Sequence, residues 1–182
     1  MDLLLIAISG ATLVWGILIY NWLVRDKNRV LAAWSDIDVQ LKRRHDLIPK
    51  LVDAVRAYTS YESSLLAEIT RIRASNAQTV EPAKTARIEG QITAQVRDLM
   101  AVAEAYPDLK SSEHFLDLQR NLTHVEEQIQ YARRYYNGSV RNLNVRIDSF
   151  PDLLIARAFG FEPAEFFELT TTAEANVPET RA

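Results

Sequence analysis

Apolar residues follow two regimes along this chain. From Leu3 to Val24 the text reads LLLIAISGATLVWGILIYNWLV, without a charge. As a helix rising ~1.5 Å per residue this run covers about 33 Å, close to the ~30 Å hydrocarbon core of a bilayer. Farther on, apolar positions recur at alternating fours and threes: Val30, Trp34, Ile37, Leu41, Ile48, Leu51, Val55 and Tyr58, with Arg44 interrupting the row. That is the seam of helices packed at a shallow angle. The register continues through Leu65, Ile69 and Ile72 and predicts one long helix from about Asp26 to Ala74. Pro49 is expected to kink it, because proline lacks an amide hydrogen and crowds the carbonyl four residues back. Thr59-Ser60-Tyr61-Glu62 has the form of a capping box that would restart it.

After a polar connection, Pro82 suits the first turn of a second body helix with the row Ile88, Ile92, Val96, Leu99 and Ala103. Tyr106 precedes a proline and should end it. Ser111 and Ser112 can cap a third helix whose row runs Phe115, Leu118, Leu122, Val125, Ile129, Ala132, Tyr136, Val140, Leu143 and Ile147. Phe150-Pro151 closes that helix, and a short amphipathic piece follows, stopped by Gly160. No strand pattern competes. The fold class is all-α: an N-terminal transmembrane helix, then an elongated antiparallel helical bundle of three long helices plus a short C-terminal one. The expected division is an anchor at 1–25, a bundle at 26–169 and a disordered polar tail at 170–182.

The flanks of the apolar run decide what it is. Asp2 precedes it and no Lys or Arg does, whereas a secretory signal needs a positive n-region, a shorter core and a small-residue cleavage site. An uncleaved single-pass span is the reading. Tyr20 and Trp22 stand where an interfacial aromatic belt would lie, and Arg25, Lys27 and Arg29 follow. The positive-inside rule then puts the N-terminus outside and the body in the cytoplasm of a cell whose inner membrane holds the span. Small residues spaced by four, Ala7/Ala11 and Thr12/Gly16, fit close approach of two spans but are also common in any such helix.

Composition removes several classes. The chain has 182 residues, no cysteine and a net charge of −3. Disulfides, thiol catalysis and zinc-thiolate sites are excluded, and no basic block suggests nucleic acid. His45, His114 and His124 are scattered, with no H-x-x-x-H pair and no Glu-x-x-His of the di-iron kind. No phosphate loop, nucleophile elbow or dinucleotide fingerprint occurs. No catalytic residue, metal or cofactor is expected.

Three separated stretches carry a resemblance. YYNGSVRNLNVRIDSFP, with Tyr136, Asn137, Asn144, Phe150 and Pro151, resembles the LemA family signature. So do Arg44, Asp46, Leu47, Ile48, Pro49, Leu51 and Val52 in one stretch, and Tyr106 to Lys110 followed by Phe115, Leu118 and Gln119 in another. Leu143 stands where the family usually has a further Tyr. The resemblance covers about residues 1–161. It implies a single N-terminal span with a cytoplasmic helical bundle and no established reaction.

Polar residues beside the seams are the remaining candidates. Gln119, Glu126, Arg133, Asn137 and Asn144 line a stripe next to the apolar row of the third helix, and Arg44 interrupts the first seam near Asp46. A buried polar network between helices is expected there, since buried polar groups need partners and fix register. Phe159, Phe161, Phe166 and Phe167 form an apolar cluster that either caps the bundle or meets a partner or membrane surface. The function expected is a membrane-anchored, non-enzymatic scaffold that self-associates as a homo-oligomer and organises the lipid bilayer or other membrane proteins. The alternative is a tethered sensor or adaptor that binds a small molecule or signalling partner between helices.

Overall fold

The computed structural model describes residues 1–58 and 81–168. Among these the chain is all-helical, with no strand. The helices are α1 (Asp2–Arg56), α2 (Pro82–Glu104), α3 (Pro107–Lys110), α4 (Glu113–Asp148) and α5 (Asp152–Ala158). The expected continuation of the first helix to Ala74, the Thr59-Ser60-Tyr61-Glu62 restart and the tail from Thr170 lie outside the described residues.

α1 passes from the apolar run into the polar part of the chain without a break. Pro49 lies inside it, and the helix continues past the proline to Arg56. The buried side of α1 is a single stripe: Ile19, Leu23, Asp26, Val30, Ala33, Ile37, Leu41, Arg44, Ile48, Leu51 and Val55. It follows the predicted seam except that Ala33 is buried where the seam has Trp34, which is half-buried, and that Tyr58 is exposed, and it begins inside the apolar run. The other faces of that run are bare, with Leu5, Ile6, Leu13, Val14 and Ile17 each more than half exposed.

The chain divides into two compact units, and α1 and α4 each contribute to both. One unit holds Val39–Gln130 with Phe167. Its core joins Ile48, Leu51, Val52 and Val55 of α1 to Ile92, Val96, Leu99 and Ala103 of α2 and to Phe115, Leu118 and Leu122 of α4. The predicted rows are thus the faces that meet. Pro82 starts α2 in the first turn, where its missing N–H costs nothing, after an extended Glu81. Tyr106 is extended (φ −118°, ψ 93°) and ends the α2 segment as expected of a residue before proline. The turn that follows is more regular than expected: it forms the short α3, whose Leu109 is buried in the same core.

The other unit holds Met1–Asp38 and Tyr131–Phe166. Here α4 buries Tyr136, Val140, Leu143 and Ile147, and α1 buries Ile19, Leu23, Val30, Ala33 and Ile37. α5 ends in a left-handed Gly160 (φ 68°), the conformation glycine adopts without strain. The Phe161 N–H donates to Ala156 O at 2.9 Å and the Gly160 N–H to Arg157 O at 3.4 Å, which together make a Schellman cap.

Candidate functional site

Two polar assemblies stand out, one in each unit. The first centres on Arg44, only 1% exposed within the α1 stripe. Its Nη1 donates to Glu89 Oε2 at 2.9 Å, and its Nη2 donates to the Thr93 hydroxyl at 2.8 Å. Its Nε lies 2.8 Å from Glu126 Oε1 of α4, an ion pair rather than an aligned hydrogen bond. Glu89 is 3% exposed, and its second oxygen is 2.9 Å from His45 Nε2. One arginine thus ties α1 to α2 and to α4 in the middle of an apolar core. Burial raises the Glu126 carboxyl above its ordinary value; the Arg44 charge opposes this and the Glu89 carboxylate adds to it.

The second assembly pins the chain after α5 to α4. The Asn144 Nδ2 donates to Ala164 O at 2.9 Å, and the Ala164 N–H donates to Asn144 Oδ1 at 2.8 Å. The Tyr136 hydroxyl donates to Glu165 O at 2.8 Å, and its ring packs on Trp34 at 5.4 Å between centroids. Burial, and then the Glu165 charge, push the Tyr136 phenol up. Nearby, the Arg146 Nε is 2.7 Å from Asp26 Oδ2, its Nη1 is 3.1 Å from Asp152 Oδ2, and its guanidinium stands over the Trp22 ring at 5.4 Å.

The residues singled out on α4 share one face of that helix but are divided between the two assemblies. Arg44 and Glu126 meet. Asn144 instead clamps a non-helical segment, and Arg133 and Asn137 are half-buried on α4 with partners of their own. Asp46 and Gln119 face outward. The four phenylalanines also separate. Phe167 is buried, Phe161 and Phe166 are half-buried, and Phe159 is 63% exposed. Phe150 is exposed at 79% and Pro151 opens the approach to α5. Glu89, Thr93 and His45 are partners that the sequence does not single out. Glu89 carried a signal, since Thr85, Glu89, Ile92 and Val96 follow the spacing of the apolar row on α2.

The chemistry of these assemblies is cohesive. Arg44 donates from both Nη atoms, to Glu89 and to Thr93, and its Nε is ion-paired with Glu126. Among the described residues no group of three or more His, Asp or Glu side chains is arranged to hold a metal ion.

Fold and sites together define an all-helical protein whose first helix is long and apolar enough to cross a membrane. The LemA family model matches residues 33–181, and the chain belongs to the LemA family. It is similar to Protein LemA of Metamycoplasma hominis, at 28% identity over 159 residues, covering 86% of this chain and 72% of that one. It is also similar to Magnetosome protein MamQ 2 of Paramagnetospirillum magneticum, at 25% identity over 82% of this chain and 64% of the relative. Magnetosome protein MamQ of Magnetospirillum gryphiswaldense is 24% identical over 90% of this chain and 71% of its own length.

Proposed function

We propose that this chain is a single-pass, membrane-anchored scaffold that self-associates and organises the bilayer or proteins within it, with its body on the cytoplasmic side. The observation that carries the reading is a second seam on α4. Tyr131, Tyr135, Gly138, Asn142 and Val145 follow one another at fours and threes, and all are exposed. Tyr131, Tyr135 and Val145 are 60%, 58% and 58% exposed. Tyr131, Tyr135 and Val145 put a partly apolar face of α4 in solvent beside the face it buries, and a further helix would cover it. A second copy of the chain supplies such a partner, and a shared bilayer raises its effective concentration. The Arg25, Lys27 and Arg29 cluster supports the cytoplasmic placement.

The test is reconstitution of the full chain into vesicles of phosphatidylethanolamine and phosphatidylglycerol, followed by electron microscopy. The reading expects clustered protein and altered vesicle shape at high protein density. Dispersed protein on unchanged vesicles would count against it.

A further inference from the structure

The apolar run of α1 is not alone. Ile155 of α5 reaches Gly16, where even a methyl group would stand only 3.7 Å from its Cδ1. The Phe159 ring lies 4.9 Å from the Tyr20 ring, and Phe161 meets Tyr20 edge-on at 5.8 Å. Beneath these contacts runs an apolar groove of about 390 Å³, lined by Thr12, Leu13 and Ile17 on α1 and by Ile155 and Phe159 opposite.

From these contacts we infer that residues 150–159 are a second membrane contact, in which α5 and the flanking Phe150 and Phe159 lie in the lipid leaflet on the side of the body, against the span. This rests on the reading that the apolar part of α1 crosses a bilayer. Length is the argument. The uncharged run is bounded by Asp2 and Arg25 and is only just long enough for a ~30 Å core. If Gly16 and Tyr20 stood in water, Leu3–Trp15 would remain, about 20 Å of helix at ~1.5 Å per residue, which is too short to span. Gly16 therefore sits in hydrocarbon with Tyr20 at its interfacial edge, and Ile155, which reaches Gly16, sits at that depth too. Gly16 is about 13 Å below Arg25 along the helix at ~1.5 Å per residue.

The chemistry of the segment agrees with that solvent. Phe150, Leu154 and Phe159 are 79%, 58% and 63% exposed, an apolar surface that water would penalise and lipid would not. Its first charge, Asp152, is held by Arg146, which also holds Asp26 just past the end of the run. Trp22 lies under the same guanidinium, at the level where interfacial aromatics collect. Arg157 is exposed, with a stem long enough to reach phosphate headgroups. The occupant of the groove is then a lipid acyl chain. A wedge in one leaflet next to a span widens that leaflet alone, which gives the scaffold a direct grip on membrane shape.

The chain has no cysteine, so single-cysteine variants report position cleanly. Full-length Leu154→Cys, Phe159→Cys, Ile17→Cys and Asp38→Cys carry an environment-sensitive dye in vesicles of phosphatidylethanolamine and phosphatidylglycerol. Nitroxides on the acyl chains and aqueous iodide serve as opposing quenchers. The inference expects the dyes at 154 and 159 to be quenched by acyl-chain nitroxide, as at 17, and to escape iodide, while the dye at 38 behaves oppositely. Iodide quenching at 154 and 159 with lipid quenching at 17 would leave the span intact and overturn the second contact. Iodide quenching at 17 as well would remove the span reading and the inference with it. Shielding of 154 and 159 from both quenchers would mean that protein, a second copy of the chain, covers them, and would also overturn it.

Discussion

Asn144 holds Ala164 by both of its side-chain polar atoms, donating to the carbonyl at 2.9 Å and accepting from the amide at 2.8 Å. The amide side chain thereby does for residue 164 what a neighbouring strand would do, on a segment that has no secondary structure of its own. Asn144→Ala removes both bonds and is expected to cost about 1–3 kcal/mol. Asn144→Asp keeps the acceptor but sets a carboxylate oxygen against the Ala164 carbonyl, so it should not rescue. Urea unfolding measures the cost. Hydrogen exchange at the Ala164 amide localises it and should rise in both variants.

Tyr136 tests the same segment more gently. Tyr136→Phe keeps the ring on Trp34 and deletes the bond to Glu165 O. A loss of about 0.5–1.5 kcal/mol is expected. Tyr136→Ala also empties a buried aromatic site and should cost about 3–5 kcal/mol. Equal losses from the two variants would mean that the hydroxyl, not the ring, matters at this position.

Arg44 and Glu89 are buried together, and cutting one away strands the other. Glu89→Ala leaves the guanidinium with the half-exposed Glu126 as its carboxylate partner, beside the Thr93 hydroxyl, and is expected to cost about 3–5 kcal/mol. Replacing both, as Arg44→Met with Glu89→Leu, should recover much of that loss, because the desolvation of two charges is removed with their attraction. A double-mutant cycle in urea measures the coupling. Additive losses would show that the pair is not coupled.

Glu126 sets a pH dependence of known sign. Its folded carboxyl binds a proton more readily than the unfolded one, chiefly because it is buried. Between its ordinary value of 4.5 and the raised folded value, the folded state carries the extra proton, so stability falls as pH climbs through that window and is level above it. Glu126→Gln should remove this contribution. Unfolding midpoints of the two proteins across that window check it, and parallel curves would contradict it.

Much of this architecture is legible in the pattern of side chains, and the reason is local. A helix face repeats at fours and threes, so the α1 stripe from Val30 to Val55 can be read from its own residues, and Arg44 shows itself as a charge in an apolar row. The back-extension of that stripe to Ile19 is hidden, because in an apolar run every face looks buried. The partners of Arg44 depend on how α1 and α2 slide past each other, which no single helix records. Asn144 is hidden for a third reason: on a helix it reads as a bundle residue, while its partner Ala164 lies in an irregular segment with no period to reveal the contact.

The central claim is that a second seam on α4 joins copies of this chain, and the mass of the full-length protein in mild detergent, measured by light scattering, tests it most directly. The wild-type chain is expected to form discrete particles of several copies, and Tyr131→Glu with Tyr135→Glu, which places charges on that exposed seam, is expected to give monomers of unchanged helicity. A wild-type protein that stays monomeric at high concentration, or a variant that assembles as the wild type does, would contradict the account.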